Sequence, residues 1–178
     1  MTELTDGTVR LRPPVARDAD WIAAACRDPE NQRWLPLLPS PYRLEDAHWW
    51  LRRADEVWRD GTAAPFVIEH ADDGTPMGVI ELRTGSEPSD VGYWLAPEGR
   101  GRGAMTRALR LVAAYAFRER QVRRLELYTL LDNVRSQAVA ERAGFVREGL
   151  VPARIESRDG NRHDAYVFVL AAPGLARP

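Results

Sequence analysis

The sequence predicts one α/β domain built on a mixed sheet in which most neighbouring strands are antiparallel. Helical and strand-like patterns are interleaved along its 178 residues, and pairs of strands joined by short turns occur towards both ends of the chain. Hydrophobic residues make up 44% and charged residues 29%, an ordinary mixture for a protein that can bury a core without disulfides or metals. Because no repeat or linker divides the chain, we expect a single domain across residues 1–178.

The first half of the chain predicts two helices and the first strands. Apolar and charged residues alternate over Val9–Arg12, which indicates a strand. Asp18 is placed to cap a following helix, and a run of prolines over residues 29–41 then predicts a broken connection. Helical spacing resumes over Arg43–Arg59 and stops at Gly61.

A hairpin and the longest helix come next. Pro65–His70 and Met77–Arg83 are typical strands, joined by a turn at Asp73-Gly74. Val91–Leu95 is another short strand. After Gly103, apolar residues recur at intervals of three and four and predict a long helix.

The last third of the chain predicts three strands and one helix. Arg124–Thr129 alternates as a strand, and a helix over Arg135–Arg142 is followed by Gly144, a typical residue just after a helix end. Strands near Phe145–Leu150 and Ala165–Leu170 close the chain.

Composition and charge exclude several function classes. The net charge of −1 provides no basic field for nucleic acid. Cys26 is the single cysteine, and the three histidines lack the spacing of metal ligands. The N-terminus has no signal-peptide pattern, and no segment is long and apolar enough to span a membrane. We expect a soluble, cytoplasmic protein with no metal and no nucleic-acid or membrane partner.

The segment Gly92–Thr106 carries the clearest chemical signal. Its sequence GYWLAPEGRGRGAMT predicts a strand, a glycine-rich turn and a helix in quick succession. Gly101 and Gly103 allow the backbone to approach a ligand closely, and the N–H groups at the start of the helix favour an anion. Arg100 and Arg102 add charged donors beside the turn. Together these features predict a cradle for a pyrophosphate, although a plain tight turn with solvated arginines has the same pattern.

Two nucleotide-binding motifs do not fit this segment. A P-loop requires a Gly-Lys-Ser or Gly-Lys-Thr ending, which is missing here. A Rossmann turn follows the first strand of a βαβ unit, whereas this turn follows a hairpin.

A second cluster makes the pattern specific to a family. Asn133–Ser136 is followed closely by Ala143–Phe145. With these residues the sequence resembles the GNAT superfamily, in the RimJ/RimL-like branch that includes ribosomal-protein N-terminal acetyltransferases. The pieces GYWL, GRGRGAMTRAL, DNVRS, ERAGFVREG and DGNRHDAYVF occur in the order of that branch, and the resemblance runs from Thr8–Pro13 to Tyr166–Leu170.

The resemblance implies a fold and a cofactor. The GNAT fold has a mostly antiparallel sheet of about six to seven strands, flanked by about four helices, with a splayed central pair. Here that pair would be Val91–Leu95 and Arg124–Thr129, with the pantetheine arm of acetyl-CoA between them. The N–H of Leu95 would hold the thioester carbonyl. The other cofactor-binding positions would be Arg100, Gly101, Arg102, Gly103, Ala104, Met105, Thr106, Asn133 and Ser136.

Two positions depart from the commonest family pattern. Met105 stands where a small residue is most frequent, so we expect altered packing with CoA binding retained. Ala140 stands where many GNAT enzymes carry a tyrosine. In the RimL-like group Ser136 is the matching replacement, and its hydroxyl would face the departing sulfur.

The resemblance implies direct attack of an amine on the thioester, without a covalent enzyme intermediate. Ser136 would donate a proton to the CoA sulfur, although a serine here can also serve as a helix N-cap, as can Asn133. Glu81 is the leading general base, because a carboxylate on an apolar strand face becomes a stronger base. An ordinary strand glutamate is the alternative, and Cys26 is expected to be buried filler rather than a nucleophile.

Weaker candidates for the base are Asp90, His163 and Asp164, the last of which can equally stabilise a hairpin.

The acceptor pocket is expected between the first two helices and the proline-rich loop. Trp34 and Trp49 are candidates to line it, with Glu81 beside them, although core packing or a homodimer contact also explains tryptophans there. Glu45 and Asp46 could attract a cationic amine, or simply suit the helix dipole.

The function that follows is an acyl-CoA-dependent N-acyltransferase, with acetyl as the expected acyl group. The acceptor amine belongs either to a protein N-terminus or to a small molecule. Three alternatives remain: transfer of succinyl or another acyl group, a non-catalytic acyl-CoA-binding module, and a nucleotide-binding protein. The family also suggests a homodimer.

Overall fold

A mixed sheet of eight strands organises the chain, in a computed structural model that describes residues 2–85 and 87–174. The strands are β1 (Leu4–Thr5), β2 (Val9–Arg12), β3 (Ala63–His70), β4 (Pro76–Arg83), β5 (Ser89–Leu95), β6 (Arg124–Leu130), β7 (Val146–Glu156) and β8 (Arg162–Ala171). The helices are α1 (Ala19–Cys26), α2 (Pro29–Trp34), α3 (Leu44–Asp60), α4 (Ala104–Arg118) and α5 (Val134–Arg142). The predicted α/β class and mixed sheet are confirmed. The described residues contain one or two more strands and one more helix than expected.

The strand order is β1-β2-β3-β4-β5-β6-β8-β7, and every neighbouring pair is antiparallel except β5 and β6. These two central strands pair only at their first residues, Ser89 with Leu125 and Asp90 with Glu126. Beyond Asp90 they diverge. The predicted splayed pair is therefore confirmed, and it leaves a wedge-shaped opening in the middle of the sheet.

Helices cover both faces of the sheet. Against one face pack α4 and α5, where Phe66, Ile80 and Leu109 are fully buried. Against the other face pack α1 and α3, whose Ala47 and Ala54 are fully buried. Because side chains alternate along a strand, adjacent residues of β5 face different helices.

The short helix α2 lies where the prolines predicted a broken connection, and that prediction was wrong in part. Asp28 caps the helix, because its side-chain oxygen accepts a hydrogen bond from the Asn31 N–H at 3.1 Å. Pro29 occupies the first helical position, where a missing N–H costs nothing and the fixed φ suits a helix. The later prolines, Pro36, Pro39 and Pro41, lie in an irregular loop as expected.

Asp18 does not cap α1 with its side chain, contrary to the prediction. Its carboxylate instead accepts hydrogen bonds from the Arg12 guanidinium at 2.7 and 2.8 Å and from the Val15 N–H at 2.8 Å. Arg12 also contacts Glu69 at 2.5 Å, and all three charged side chains are buried. A buried arginine needs such partners, so this requirement overrides the local capping preference.

The closing strands extend further than the sequence pattern indicated. β7 continues past residue 150 to Glu156. A bulge around Pro152, seen as a register shift between Val151 and Ile155, accommodates the proline without ending the strand. In the described part of the chain no helix combines the length and the apolar character needed to cross a membrane.

Candidate active site

A groove of about 1780 Å³ passes through the sheet where β5 and β6 diverge. On one face it is lined by the glycine-rich turn, the start of α4 and α5. On the other face it is lined by α2, α3 and the bulged part of β7. The splay therefore joins two half-sites, one on each face of the sheet.

The glycine-rich turn presents a row of free N–H groups to the groove. Gly101 and Gly103 both have φ of +76°, a conformation that favours glycine, and α4 begins directly after Gly103. From Gly101 to Thr106, no backbone N–H donates to an acceptor among residues 2–85 and 87–174. These six amides and the positive end of the α4 dipole form a fitting site for a pyrophosphate.

Neither arginine of the turn provides the side-chain donor that the sequence predicted beside the pyrophosphate site. The Arg100 guanidinium points away from the turn and contacts Asp28, the Glu30 carboxylate at 3.0 Å and the Leu95 carbonyl at 3.0 Å. The side chain of Arg102 is exposed and is not part of the groove wall. The prediction of side-chain donors from Arg100 is therefore wrong, because two carboxylates of the α2 segment attract its charge.

The backbone of Leu95 faces the splay. In the antiparallel pair of β4 and β5, the Ala96 N–H donates to the Met77 carbonyl at 2.9 Å. Hydrogen-bonded and non-bonded positions alternate in such a pair, so the N–H of Leu95 points away from β4 and towards β6. It has no strand partner there, because the pairing with β6 ends at Asp90.

Ser136 lies at the start of α5 and is held by two groups. Its N–H donates to the Asn133 side chain at 3.1 Å, so Asn133 is the N-cap and the Ser136 hydroxyl is not needed for capping. That hydroxyl lies 3.0 Å from the hydroxyl of Tyr93, a residue that sequence reasoning missed. Burial raises the pKa of Tyr93 to about 12, against the opposing effect of the Ser136 hydrogen bond, so the phenol keeps its proton at neutral pH.

Thr129 adds a polar group to the cofactor half of the groove. Its side chain is only 2% exposed, and its hydroxyl has no hydrogen-bond partner among the described residues. A buried hydroxyl without a partner is costly, so a polar arm bound in the splay would satisfy it. Together with the six free amides, this fits the pantetheine and pyrophosphate of CoA.

Glu81 lies on the opposite face, where β4 meets α3. It is buried, but its carboxylate is ion-paired with the Arg53 guanidinium at 3.0 Å. The expectation of an apolar strand face is therefore wrong. Gly92 is its cross-strand neighbour on β5, and the Arg83 guanidinium fills the space where a larger residue would carry its side chain.

The weaker base candidates have structural partners. Asp90 is paired with Arg83 at 2.8 Å, while His163 lies 3.1 Å from the Ser157 hydroxyl. Asp164 accepts a hydrogen bond from the Ala153 N–H at 2.9 Å, which is the hairpin-stabilising role.

Cys26 is buried in the core between α1 and α3, and burial raises the pKa of its thiol to about 12. Its expected role as filler is confirmed. Met105 is also buried in the core, so the larger side chain is accommodated away from the turn.

Aromatic residues form much of the acceptor half of the groove. Trp34 and Trp49 both line it, and Trp49 is 59% exposed. The groove wall also contains Trp94, whose ring stacks on Trp21 of α1 at a centroid distance of 5.5 Å. Among the described residues, no group of three or more acidic, cysteine or histidine side chains is arranged to hold a metal.

Comparison with known proteins identifies relatives of this arrangement. The family model described as an acetyltransferase (GNAT) domain matches residues 8–146. YjcK of Bacillus subtilis, named a probable N-acetyltransferase, is 35% identical over 93% of this chain and 95% of its own length. YdaF of the same organism is named among the ribosomal N-acetyltransferases and is 30% identical over 86% of this chain and 81% of its own.

A solved structure shows the same fold with a ligand of the expected kind. RimJ of Mycobacterium smegmatis, in complex with a CoA disulfide, superposes with a TM-score of 0.84 and 26% identity. The match covers 99% of this chain and 88% of that protein.

Gly103→Ala should weaken CoA binding by about tenfold, because a Cβ strains a left-handed backbone by about 1–2 kcal/mol and the amides of the turn would rotate to relieve it. Gly160→Ala is the matched control: Gly160 has φ of +80° and equally open space, but it lies in the β7–β8 turn outside the groove wall. Calorimetry with CoA measures the affinity, and thermal unfolding reports the strain common to both variants. Equal CoA affinity in the two variants would contradict the role of the turn.

Proposed function

The chain belongs to the GNAT acetyltransferase family and is an acetyl-CoA-dependent N-acetyltransferase, and on that premise we propose that its acceptor is the α-amino group of a protein N-terminus. The observation that carries the proposal is the acceptor half of the groove. Its wall includes residues of the splay, the aromatic side chains and the bulge of β7, so it offers contacts to several successive residues of a chain end. The name of YdaF, a ribosomal N-acetyltransferase, agrees with such an acceptor.

In the proposed arrangement the cofactor occupies the half-site beside α4 and α5. The amides from Gly101 to Thr106 bind the pyrophosphate, and the Thr129 hydroxyl and the free edge of β5 bind the pantetheine arm. The Leu95 N–H then donates to the thioester carbonyl oxygen, where negative charge develops as the amine attacks. No lysine or arginine side chain of the turn is required for this binding.

Ser136 and Tyr93 supply a proton to the leaving group. When the carbon–nitrogen bond forms and the carbon–sulfur bond breaks, the sulfur needs a proton. In this proposal the Ser136 hydroxyl donates it and recovers a proton from the Tyr93 hydroxyl, whose oxygen lies 3.0 Å away. Solvent in the groove then returns a proton to Tyr93, and the proton of the amine leaves through the base on the acceptor face. Because the pKa of Tyr93 is raised to about 12, Tyr93 remains a hydrogen-bond donor over the whole working range of pH.

Glu81 is the proposed base that receives the proton of the attacking amine. It lies on the acceptor face, and its partner Arg53 keeps the carboxylate oriented towards the groove. Asp90 is held by Arg83 and faces the same region, but it lies at the closed end of the splay. Glu81 is therefore better placed than Asp90 to meet an amine near Leu95.

The acceptor proposal is tested by offering acetyl-CoA with three kinds of amine. These are peptides with a free N-terminus and no lysine, N-terminally blocked peptides that contain lysine, and small amines such as polyamines and aminoglycosides. CoA release and product mass are measured. We expect turnover of the free N-termini alone. A preference for a small amine would overturn the acceptor assignment, while CoA binding without any release would indicate a non-catalytic module.

Ser136→Ala should lower kcat by about a hundredfold, because it removes the proton donor to the sulfur. Acetyl-CoA affinity and thermal stability should stay unchanged, since Asn133 rather than Ser136 caps α5. Tyr93→Phe should lower kcat to a smaller extent, because it removes only the donor to Ser136. Stopped-flow turnover with a good peptide acceptor measures both. Wild-type kcat in Ser136→Ala would exclude the proposed role.

Glu81→Gln should lower kcat/KM by about a hundredfold in steady-state turnover, because no carboxylate then accepts the proton of the amine. Glu56→Gln, at an exposed position of α3, is the control for loss of one negative charge. A wild-type kcat/KM in Glu81→Gln would assign the base to another group or to water.

We also propose that the enzyme works in the cytoplasm, where nascent protein N-termini are available, and that it forms a homodimer. Light scattering of the purified protein tests the second point, and a monomeric mass would exclude it.

A further inference from the structure

The bulge of β7 places one arginine on the acceptor face. Ala153 has φ of +51°, a left-handed conformation that costs a non-glycine residue about 1–2 kcal/mol. Two side chains of β8 hold it in place: Asp164 accepts from the Ala153 N–H at 2.9 Å, and Arg162 donates to the Ala153 carbonyl at 2.7 Å. A bulge re-aims the next side chain, and here that side chain is Arg154.

The Arg154 guanidinium lies over the ring of Tyr128, at 4.0 Å from its centroid, in the wall of the groove. Tyr128 faces the acceptor side, because its neighbours Leu127 and Thr129 face the cofactor side. The Tyr128 hydroxyl donates to Glu126, and this hydrogen bond fixes the ring on which the Arg154 guanidinium rests. This contact positions the guanidinium while leaving its N–H groups available.

The charge of Arg154 is not neutralised by the protein. No ion pair joins it to a carboxylate within the described ranges, and its side chain is exposed to the groove. Three pairs of opposite charge also lie on the acceptor face: Glu81 with Arg53 at 3.0 Å, Asp90 with Arg83 at 2.8 Å, and Glu156 with Arg162 at 3.5 Å. The Asp46 carboxylate lines the groove as well; it accepts from the Arg43 backbone N–H at 2.7 Å and has no ion pair within the described ranges. Arg154, on a different element, is therefore a guanidinium of this face whose charge is open to a ligand.

We propose that Arg154, resting on Tyr128, binds a carboxylate carried by the acceptor, so that the enzyme prefers acidic acceptors. A guanidinium donates to a carboxylate in a bidentate, charge-assisted geometry, and stacking on an aromatic ring leaves that edge free. The inference rests on the proposed function and narrows its acceptor to an amine with an anionic group. That group is either an acidic side chain near a protein N-terminus or the α-carboxylate of a small amino acid.

The test compares matched acceptors that differ only in the carboxylate. C-terminally amidated peptides carry one aspartate at successive positions after the N-terminal residue, and their counterparts carry asparagine there. A second arm compares free amino acids with their amides. For the wild-type enzyme we expect the acidic acceptor to have a kcat/KM about tenfold higher than its amide counterpart, either at one aspartate position of the peptide or among the free amino acids. An effect of about tenfold is what one charge-assisted hydrogen bond is expected to contribute. In Arg154→Gln this ratio should fall to about one, and in Arg154→Glu a basic residue should be preferred.

Arg147→Gln is the matched control. Arg147 lies on the same strand and its guanidinium rests on the ring of Tyr166 at 4.7 Å, but it is not part of the groove wall. We expect it to keep the wild-type ratio of acid to amide. Equal rates for acids and amides in both arms would overturn the inference, as would a preference that survives in Arg154→Gln. If peptides fail as acceptors but amino acids show the Arg154-dependent preference, the protein N-terminus is wrong and the carboxylate subsite stands.

Discussion

The divergence of β5 from β6 is the constraint on which the rest of the structure depends. Two neighbouring strands that pair over only two positions leave backbone N–H and C=O groups without partners in the middle of a sheet. If the two strands paired along their whole length, these groups would form hydrogen bonds with each other. Here they face a groove, where the amides of the glycine-rich turn and the hydroxyl of Thr129 are also unpartnered. Free backbone amides and one buried hydroxyl therefore lie where a polar, extended ligand arm can bind.

The same divergence explains the position of α2. The helix α2 covers one side of the opening between β5 and β6, and ion pairs hold it in that position. Arg100, from the turn, contacts Asp28, Glu30 and the Leu95 carbonyl, while Glu30 also contacts Arg135 of α5 at 2.5 Å. One short helix thus links the end of β5 to the start of α5. The Leu95 carbonyl accepts from Arg100, whereas the Leu95 N–H has no strand partner and is the donor that the proposed thioester contact requires.

Sequence patterns predicted most of the fold because its elements are encoded locally. The turn at Gly101 and Gly103, α4 and the splayed strands lie where periodicity and family resemblance placed them. The misses arise from contacts between distant residues. Arg100 is drawn to α2 rather than to the turn, and Asp18 to Arg12 rather than to its helix end. The pairing of Tyr93 with Ser136 joins residues 43 positions apart, and no local pattern indicates it.

Ion pairs on the acceptor face fix the carboxylate that is proposed as the base. Arg53 orients the Glu81 carboxylate, so in the proposed mechanism Glu81 would meet the amine in a defined position rather than as a free anion. An ammonium ion gains little from Glu81 and Asp90, which are already ion-paired, so other parts of the acceptor contribute to its binding. The aromatic wall supplies apolar contact, and the bulge of β7 supplies a charge of the opposite sign at Arg154. The left-handed Ala153 at that bulge is held by Asp164 and Arg162 of β8, so hydrogen bonds of the hairpin are used to keep a strained backbone that positions Arg154.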